Sequence, residues 1–192
     1  MGYFKKVIYV GIIAYGILSK VFSQEENANE FELAAENRMH AAIALETRAE
    51  QLIDFSENIS RRIFTNKQER LEDMELSGDY QKKAGDLEIQ ARANYLSAYT
   101  NYSSAIKVYE LKQELQQDKK NSLEKKQREC NIRAYESLLK STEYYKLSAE
   151  TYGGLNRYEK QAKSLNLTAE RQEEIGKKEE AELIKSKRRS KE

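Results

Sequence analysis

The stretch AGDLEIQARANYLSAYTNYSSAIKVY, residues 84–109, decides the fold. Its apolar positions recur at alternating steps of three and four residues, the spacing that keeps one stripe of an α-helix facing a partner helix. Alanine lets a neighbouring backbone approach, and tyrosine fills the space beside it. The stripe consists of Ala84, Ala91, Tyr95, Ala98, Tyr102, Ala105 and Tyr109. These positions predict a long helix packed against another.

Two further stripes with the same spacing flank this stretch. The upstream stripe lies within residues 31–63, where Ile43 and Ile53 widen it in a way that favours a bundle over a two-stranded rod. Its positions are Ala35, Ala42, Leu45, Ala49, Leu52, Ile59 and Ile63, with Arg38 and Ser56 as the exceptions. The downstream stripe, within residues 122–152, consists of Ala134, Leu138, Tyr145, Ala149 and Tyr152. Both stripes predict helices that pack along one face.

Composition and the positions of helix-breaking residues indicate where the helices begin and end. The chain has no proline, the strongest interruption of a helix, and it is rich in good helix formers. Breaks are predicted at 66–68, 77–80, 116–121 and 153–154, and Gly176 is a candidate interruption of the last helix. The sequence therefore predicts an all-α protein of long amphipathic helices, packed as antiparallel hairpins or a bundle with coiled-coil-like seams.

The N-terminal sequence MGYFKKVIYVGIIAYGILSKVFS, residues 1–23, has the features of a signal peptide. Two lysines precede an apolar run of 12 residues at 7–18, and short side chains precede a predicted cleavage before Gln24. The alternative is an uncleaved membrane anchor, but a spanning helix needs about 20 apolar residues and Lys20 interrupts this run. We therefore expect an exported protein, periplasmic or secreted.

Charge is distributed unevenly along the chain. Residues 24–118 carry 11 basic and 19 acidic side chains, whereas residues 119–192 carry 19 basic and 13 acidic ones. The two halves could fold back on each other as antiparallel helices, meet head-to-tail between molecules, or simply present solvated faces. Because surface ion pairs contribute little stability, such pairing would select orientation and partner. We predict one helical domain over 24–176, followed by a basic C-terminal helix or tail over 177–192.

The chain has one histidine and one cysteine, so it has few side chains suited to bind a transition metal or to act as a nucleophile. Asn37 stands three residues before His40, where the Glu-x-x-His element of a di-iron bundle would have glutamate. No second histidine could complete a zinc site or a histidine-based triad. Cys130 begins an apolar helical face and is interpreted as buried, with an intermolecular disulfide as the alternative. The sequence predicts no enzymatic activity, no cofactor and no metal site.

Two groups of residues are candidates for contacts with partners. Tyrosines cluster between 80 and 158, and most lie at helical spacing typical of a core rather than of a binding groove. Tyr99 and Tyr144 lie beside the main stripes and are better candidates for exposed contacts. Near the C-terminus, Lys187, Arg188 and Arg189 could contact an anionic membrane or envelope surface, or simply complement the helix macrodipole. Because an export signal argues against a nuclear role, no nucleic-acid partner is expected.

Residues 85–118 resemble a tetratricopeptide (TPR) helical hairpin. Residues 102–109, YSSAIKVY, are similar to the second-helix pattern Y-x2-A-I-x2-Y, and Thr100-Asn101 stands where that family usually has Gly-Asp. The resemblance implies a concave surface that binds peptides or partner proteins, and it identifies no contact residue. Lys112 replaces the expected small alanine, the closing proline is missing, and no 34-residue period recurs. The stripe also holds its phase through residues 100–101, as one continuous helix would.

These observations favour a non-catalytic exported helical protein that acts in protein–protein interaction or scaffolding, within a cell-envelope or secretion assembly or as a homo-oligomer. One alternative is a membrane-anchored coiled-coil spacer that retains residues 1–23. Another is a periplasmic chaperone whose helical arms hold unfolded clients. N-terminal sequencing distinguishes the first alternative, because a chain that begins at Gln24 has lost the anchor.

Overall fold

The computed structural model describes the backbone of residues 2–63, 66–111 and 117–189, and the side chains of 28–63, 66–110 and 117–179. Four helices pack against each other in a bundle-like arrangement, and the described residues contain no strand. The helices are α1 (Gly2–Ser60), α2 (Lys67–Leu111), α3 (Gln117–Gly154) and α4 (Tyr158–Arg189). The all-α prediction is therefore confirmed.

The helices contribute to two compact units. Unit 1 consists of Met1–Met39 and Tyr95–Asn131, from α1, α2 and α3. Unit 2 consists of His40–Asn94 and Ile132–Glu192, from all four helices. Within the residues that the structure describes, no helix has the length and apolar character to cross a bilayer.

Two of the predicted breaks are confirmed. Before α2, the Asn66 Oδ1 accepts a hydrogen bond of 2.8 Å from the Gln68 backbone N–H, as a helix N-cap residue does. After α3, the chain turns beyond Gly154, and Asn156 adopts the left-handed conformation with φ 56°. Asparagine tolerates this conformation better than most residues do, so Asn156 completes the turn into α4.

The breaks predicted at 77–80 and at Gly176 were wrong, and the break predicted at 116–121 lies partly outside the described residues. Helix α2 continues through residues 77–80, because Gly78 is a buried point of contact with α3 rather than a C-cap. Residues 117–121 form the start of α3, while residue 116 lies outside the described residues. Helix α4 continues through Gly176, where its neighbours are strong helix formers. Helix α2 also continues through Thr100 and Asn101, in agreement with the unbroken phase of its stripe.

The predicted stripes form the core, with few exceptions. All seven stripe positions of α2 are at most 6% exposed, and all five stripe positions of α3 are at most 3% exposed. On α1, Leu45 is only half-buried, and Ile63 is 97% exposed because the helix ends at Ser60. Ser56, expected as an exception, is buried and its hydroxyl lies 2.7 Å from that of Ser77 on α2. A small polar residue is tolerated there because its hydroxyl finds a partner.

Small residues recur at every seventh position on α1 and α2. They are Ala28, Ala35, Ala42, Ala49 and Ser56 on α1, and Ser77, Ala84, Ala91, Ala98 and Ala105 on α2, all fully buried or nearly so. In unit 2, Ala49 and Ala84 share one core cluster, next to the Ser56–Ser77 contact. Because small side chains let two helix backbones approach closely, this repeat sets the antiparallel register of α1 and α2 in that unit.

Unit 1 has its own core, formed by α1, α2 and α3. Tyr102 is buried beside Met39, whose sulfur lies 3.5 Å from the tyrosine hydroxyl. The Tyr109 hydroxyl lies 2.6 Å from Glu32 Oε1 and accepts a hydrogen bond from Lys119 Nζ. Residue numbers rise on α2 as they fall on α1, so α1 and α2 are antiparallel in this unit too.

In unit 2, glycines on α2 make room for tyrosine rings of α3. A Cβ atom at Gly78 would lie 2.8 Å from Tyr152 Cε1, and one at Gly85 would lie 2.6 Å from Tyr145 Cε1. The aspartate that follows each glycine accepts the hydroxyl of the same tyrosine: Tyr152 donates to Asp79 and Tyr145 donates to Asp86. A Gly-Asp pair thus recurs after seven residues, each pair receiving one tyrosine.

We expect Gly85→Ala to lower the free energy of unfolding by up to about 2 kcal/mol. The substitution gains about 1 kcal/mol of helix propensity, but overpacking a buried contact costs about 1–3 kcal/mol. The Tyr145 ring cannot yield easily because it is 2% exposed and hydrogen-bonded. Gly176→Ala is the matched control: nothing lies within 4 Å of its Cβ position, so it should stabilise α4 by up to about 1 kcal/mol. Urea denaturation of both variants checks this, and a stabilising Gly85→Ala would contradict the close contact.

Candidate functional site

The structure places the predicted contact residues in different environments. Tyr99 belongs to unit 1 and is 39% exposed. Tyr144 belongs to unit 2 and is half-buried against the cluster of Ala49, Leu52 and Ala84. The side chains of Lys187, Arg188 and Arg189 lie outside the described residues, although α4 extends to Arg189. Tyr99 therefore offers more surface to a partner than Tyr144 does.

His40 and Cys130, the candidates for metal or thiol chemistry, lie in different environments. His40 is exposed on α1. Cys130 is fully buried in the core of unit 1, which confirms the buried interpretation. Among the side chains that the structure describes, no group of histidine, cysteine and acidic residues could hold a metal ion.

The uneven charge distribution corresponds to ion pairs within the chain. In unit 1, Lys119 pairs with Glu32 at 3.1 Å and Lys126 pairs with Glu36 at 2.9 Å. In unit 2, the pairs are Arg133 with Glu46 at 3.8 Å and Lys140 with Glu50 at 3.1 Å. Residue numbers rise together in both units, so the acidic α1 and the basic α3 are parallel. Helices α2 and α3 are antiparallel, since Gly78 lies against Tyr152 and Gly85 against Tyr145, which is one of the arrangements that the charge distribution left open. Helices α1 and α3 are parallel because two antiparallel turns separate them in the chain.

These ion pairs determine the register of α3 against α1 more than they stabilise the fold. The basic residues of α3 recur every seven positions, so that one face of α3 presents a row of cations to α1. The pairs are partly exposed to solvent, and exposed pairs of this kind contribute about 0–1 kcal/mol each. Sequence charge counts could reveal the acidic and basic halves, but not which helices would meet.

The most unusual side chain of the described structure is Glu88. It lies on the buried stripe of α2, between Ala84 and Ala91 and seven residues before Tyr95. Its side chain is 0% exposed, and neither carboxyl oxygen has a hydrogen-bond partner. A buried carboxyl without partners is costly, so a protein retains one only with some compensation.

The surroundings of Glu88 come from α1 and α3 of unit 2. Glu46 and Glu50 face it from α1, while Ser137, Lys140 and Tyr144 lie nearby on α3. The nearest donors serve the other two acids: the Ser137 hydroxyl donates to Glu46 at 3.0 Å, and Lys140 Nζ donates to Glu50 at 3.1 Å. Glu88 is thus the third carboxyl of a cluster whose donors are already used.

Burial raises the pKa of the Glu88 carboxyl from its ordinary 4.5 to about 7. The positive charge of Lys140 lowers the pKa, and so does the proximity of the Ser137 hydroxyl, although that hydroxyl donates its hydrogen bond to Glu46. The charges of Glu46 and Glu50 raise the pKa. Desolvation is the largest of these effects, as expected for a carboxyl removed from water. A strongly shifted pKa is a common property of functional sites, although structural clusters also produce one.

Two surface cavities lie elsewhere, one in each unit. The cavity of unit 1 has a volume of about 280 Å³ and is mostly polar, with Ser103, Lys107, Glu124 and Arg128 in its lining. The cavity of unit 2 has a volume of about 350 Å³ and lies between the start of α2 and the end of α3, at Leu71 and Leu155. Glu88 lines neither cavity, so a substrate bound in either would not reach its carboxyl.

Glu88 was not predicted from the sequence as a functional residue, although the stripe spacing contained a signal for it. The stripe spacing that identified Ala84, Ala91 and Tyr95 assigns residue 88 to the same face. An acidic residue at such a position is a candidate buried carboxyl. Its missing partners and raised pKa depend on α1 and α3, which the spacing of α2 alone does not describe.

The fold defines the chain as an all-α, bundle-like protein. Comparison with known proteins does not assign it to a family. No family model matches the sequence, and comparisons with curated proteins and with solved structures find no match.

Proposed function

We propose that this protein is a non-catalytic helical protein that acts in protein–protein interaction or scaffolding outside the cytoplasm. The observation that supports this best is an exposed apolar patch on unit 2, formed by Phe55, Leu76 and Tyr80. Phe55 is 51% exposed and Leu76 is 41% exposed. The rings of Phe55 and Tyr80 have centroids 6.3 Å apart, and Leu76 lies one helical turn before Tyr80.

The patch differs from an isolated exposed leucine, which needs no explanation. It joins side chains of two helices, and Tyr80 packs beneath it against the cluster of Ala49, Leu52 and Ala84. Aromatic residues anchored in this way are enriched where proteins bind one another. The tyrosine hydroxyls of Tyr145 and Tyr152, by contrast, are used in helix–helix contacts. Phe55 and Tyr80 are therefore the aromatic residues of this unit that we propose to contact a partner.

Site-specific photo-crosslinking in the source organism tests the proposed interaction. A photoreactive phenylalanine at residue 55 should form a discrete protein adduct, either with another protein or with a second copy of this chain. The matched control places the photoreactive phenylalanine at residue 165, where Leu165 is 49% exposed on α4. This control should form no adduct. A chain that forms no adduct at residue 55 and sediments as a strict monomer would contradict the interaction.

Export is the second part of the proposal, and it depends on residues 1–23. N-terminal sequencing of the protein isolated from its source should give a chain that begins at Gln24. A chain that retains residues 1–23 and sediments with membranes would instead support the anchored spacer. A full-length chain in the cytoplasm would contradict export altogether.

A further inference from the structure

We propose that the protonation state of Glu88 controls how tightly α1 packs against α2 and α3 within unit 2. The inference is independent of the proposed binding function, because it depends only on contacts inside this unit. Glu88 occupies a stripe position of α2, is completely buried, and has two carboxyl oxygens without hydrogen-bond partners. A neutral carboxyl can be buried in this way at a modest cost, whereas a charged one cannot.

Charged and titratable groups face Glu88 from α1 and α3. Helix α1 contributes Glu46 and Glu50, and α3 contributes Lys140 together with the half-buried Tyr144. On α2 itself, Arg92 lies one turn after Glu88 and pairs with Glu174 of α4. The cations are thus engaged by other acids: Lys140 by Glu50, and Arg92 by Glu174.

Loss of the proton would put a third negative charge beside Glu46 and Glu50. Lys140 would then be shared between Glu50 and Glu88, which weakens its pair with α1. The new carboxylate could regain water only if α1 moves away from α2 and α3, since these helices cover it. Ionisation therefore favours a loosened state of α1 in unit 2, and protonation favours the packed state.

The sign of the pH dependence follows from the pKa in the two states. In the packed state the Glu88 pKa is raised to about 7, and in a loosened, hydrated state it returns towards 4.5. The packed state holds its proton more tightly, so its stability is fully present below the lower value. That stability decreases as pH rises between the two values and reaches its minimum above the higher one.

Hydrogen exchange measured by mass spectrometry on the full chain tests the proposal, after correction for the intrinsic effect of pH. We expect protection of residues 40–60 of α1 to fall about 20-fold between about pH 5.5 and about pH 8. Glu88→Gln, which cannot ionise, should remove this dependence. Glu143→Gln, at an exposed position of the same unit, should retain it.

Two results would overturn the proposal. The first is protection of residues 40–60 that does not change with pH in the unmodified chain. The second is a Glu88→Gln variant with the same pH dependence, which would assign it to another group. If Glu88→Gln does not fold, Glu88→Met provides a second non-ionisable variant of similar size and should also lose the dependence.

Discussion

Tyr145→Ala is expected to lower the free energy of unfolding by about 3 kcal/mol or more, the usual cost of removing a buried aromatic ring. Tyr145 is 2% exposed, its ring packs over the backbone at Gly85, and its hydroxyl donates to Asp86 at 2.8 Å. The variant loses the buried ring and leaves a cavity between α2 and α3. Urea denaturation followed by circular dichroism measures the loss, which is large against the 5–15 kcal/mol stability of a typical domain.

Two companion variants identify the cause of that loss. Tyr145→Phe keeps the ring and removes only the hydrogen bond to Asp86, so it should cost about 1 kcal/mol. Tyr158→Ala removes a tyrosine that is 68% exposed and should change stability by less than about 0.5 kcal/mol. If Tyr145→Ala were as mild as Tyr158→Ala, the tyrosines of α3 would belong to a surface groove and not to the core.

Ala84→Leu should be nearly as damaging, with a loss of about 2–3 kcal/mol. Ala84 is fully buried in one cluster with Ala49 of α1, where small residues recur every seven positions. A leucine there must push the two helices apart or adopt a strained rotamer. Thermal and urea unfolding of the variant should both report the loss.

Ala93→Leu is the control for this substitution, since it makes the same change at an exposed position of the same helix. It should leave stability within about 0.5 kcal/mol of the unmodified chain. Equal effects of the two substitutions would mean that the small residues of α2 do not face α1 closely, contrary to the Ser56–Ser77 contact.

The sequence predicted the buried faces of the helices better than their ends. The stripe of α2 is buried at every predicted position from Ala84 to Tyr109, because periodic burial is a property of a single helix. Helix ends depend on what surrounds them. Gly78 looks like a helix stop in isolation, yet α2 continues through it, and the missing side chain leaves room for the Tyr152 ring.

The partners of charged residues could not be predicted for a similar reason. An uneven charge distribution shows that acidic and basic segments can attract each other, but several orientations satisfy that attraction equally well. The packing of α1 and α3 against α2 selects the parallel pairs, such as Glu36 with Lys126 in unit 1. The missing partners of Glu88 could not be predicted either, because they result from the pairing of Ser137 with Glu46 and of Lys140 with Glu50.

The pKa of Glu88 is the measurement that tests this account of the molecule most directly. An NMR titration of its side-chain carboxyl, assigned by comparison with Glu88→Gln, should give a value of about 7. Such a value requires that α1, α2 and α3 bury this position together, as their stripes and contacts indicate. A value near 4.5, the ordinary pKa of glutamate, would place Glu88 in water and contradict both the buried stripe and the proposed control of helix packing.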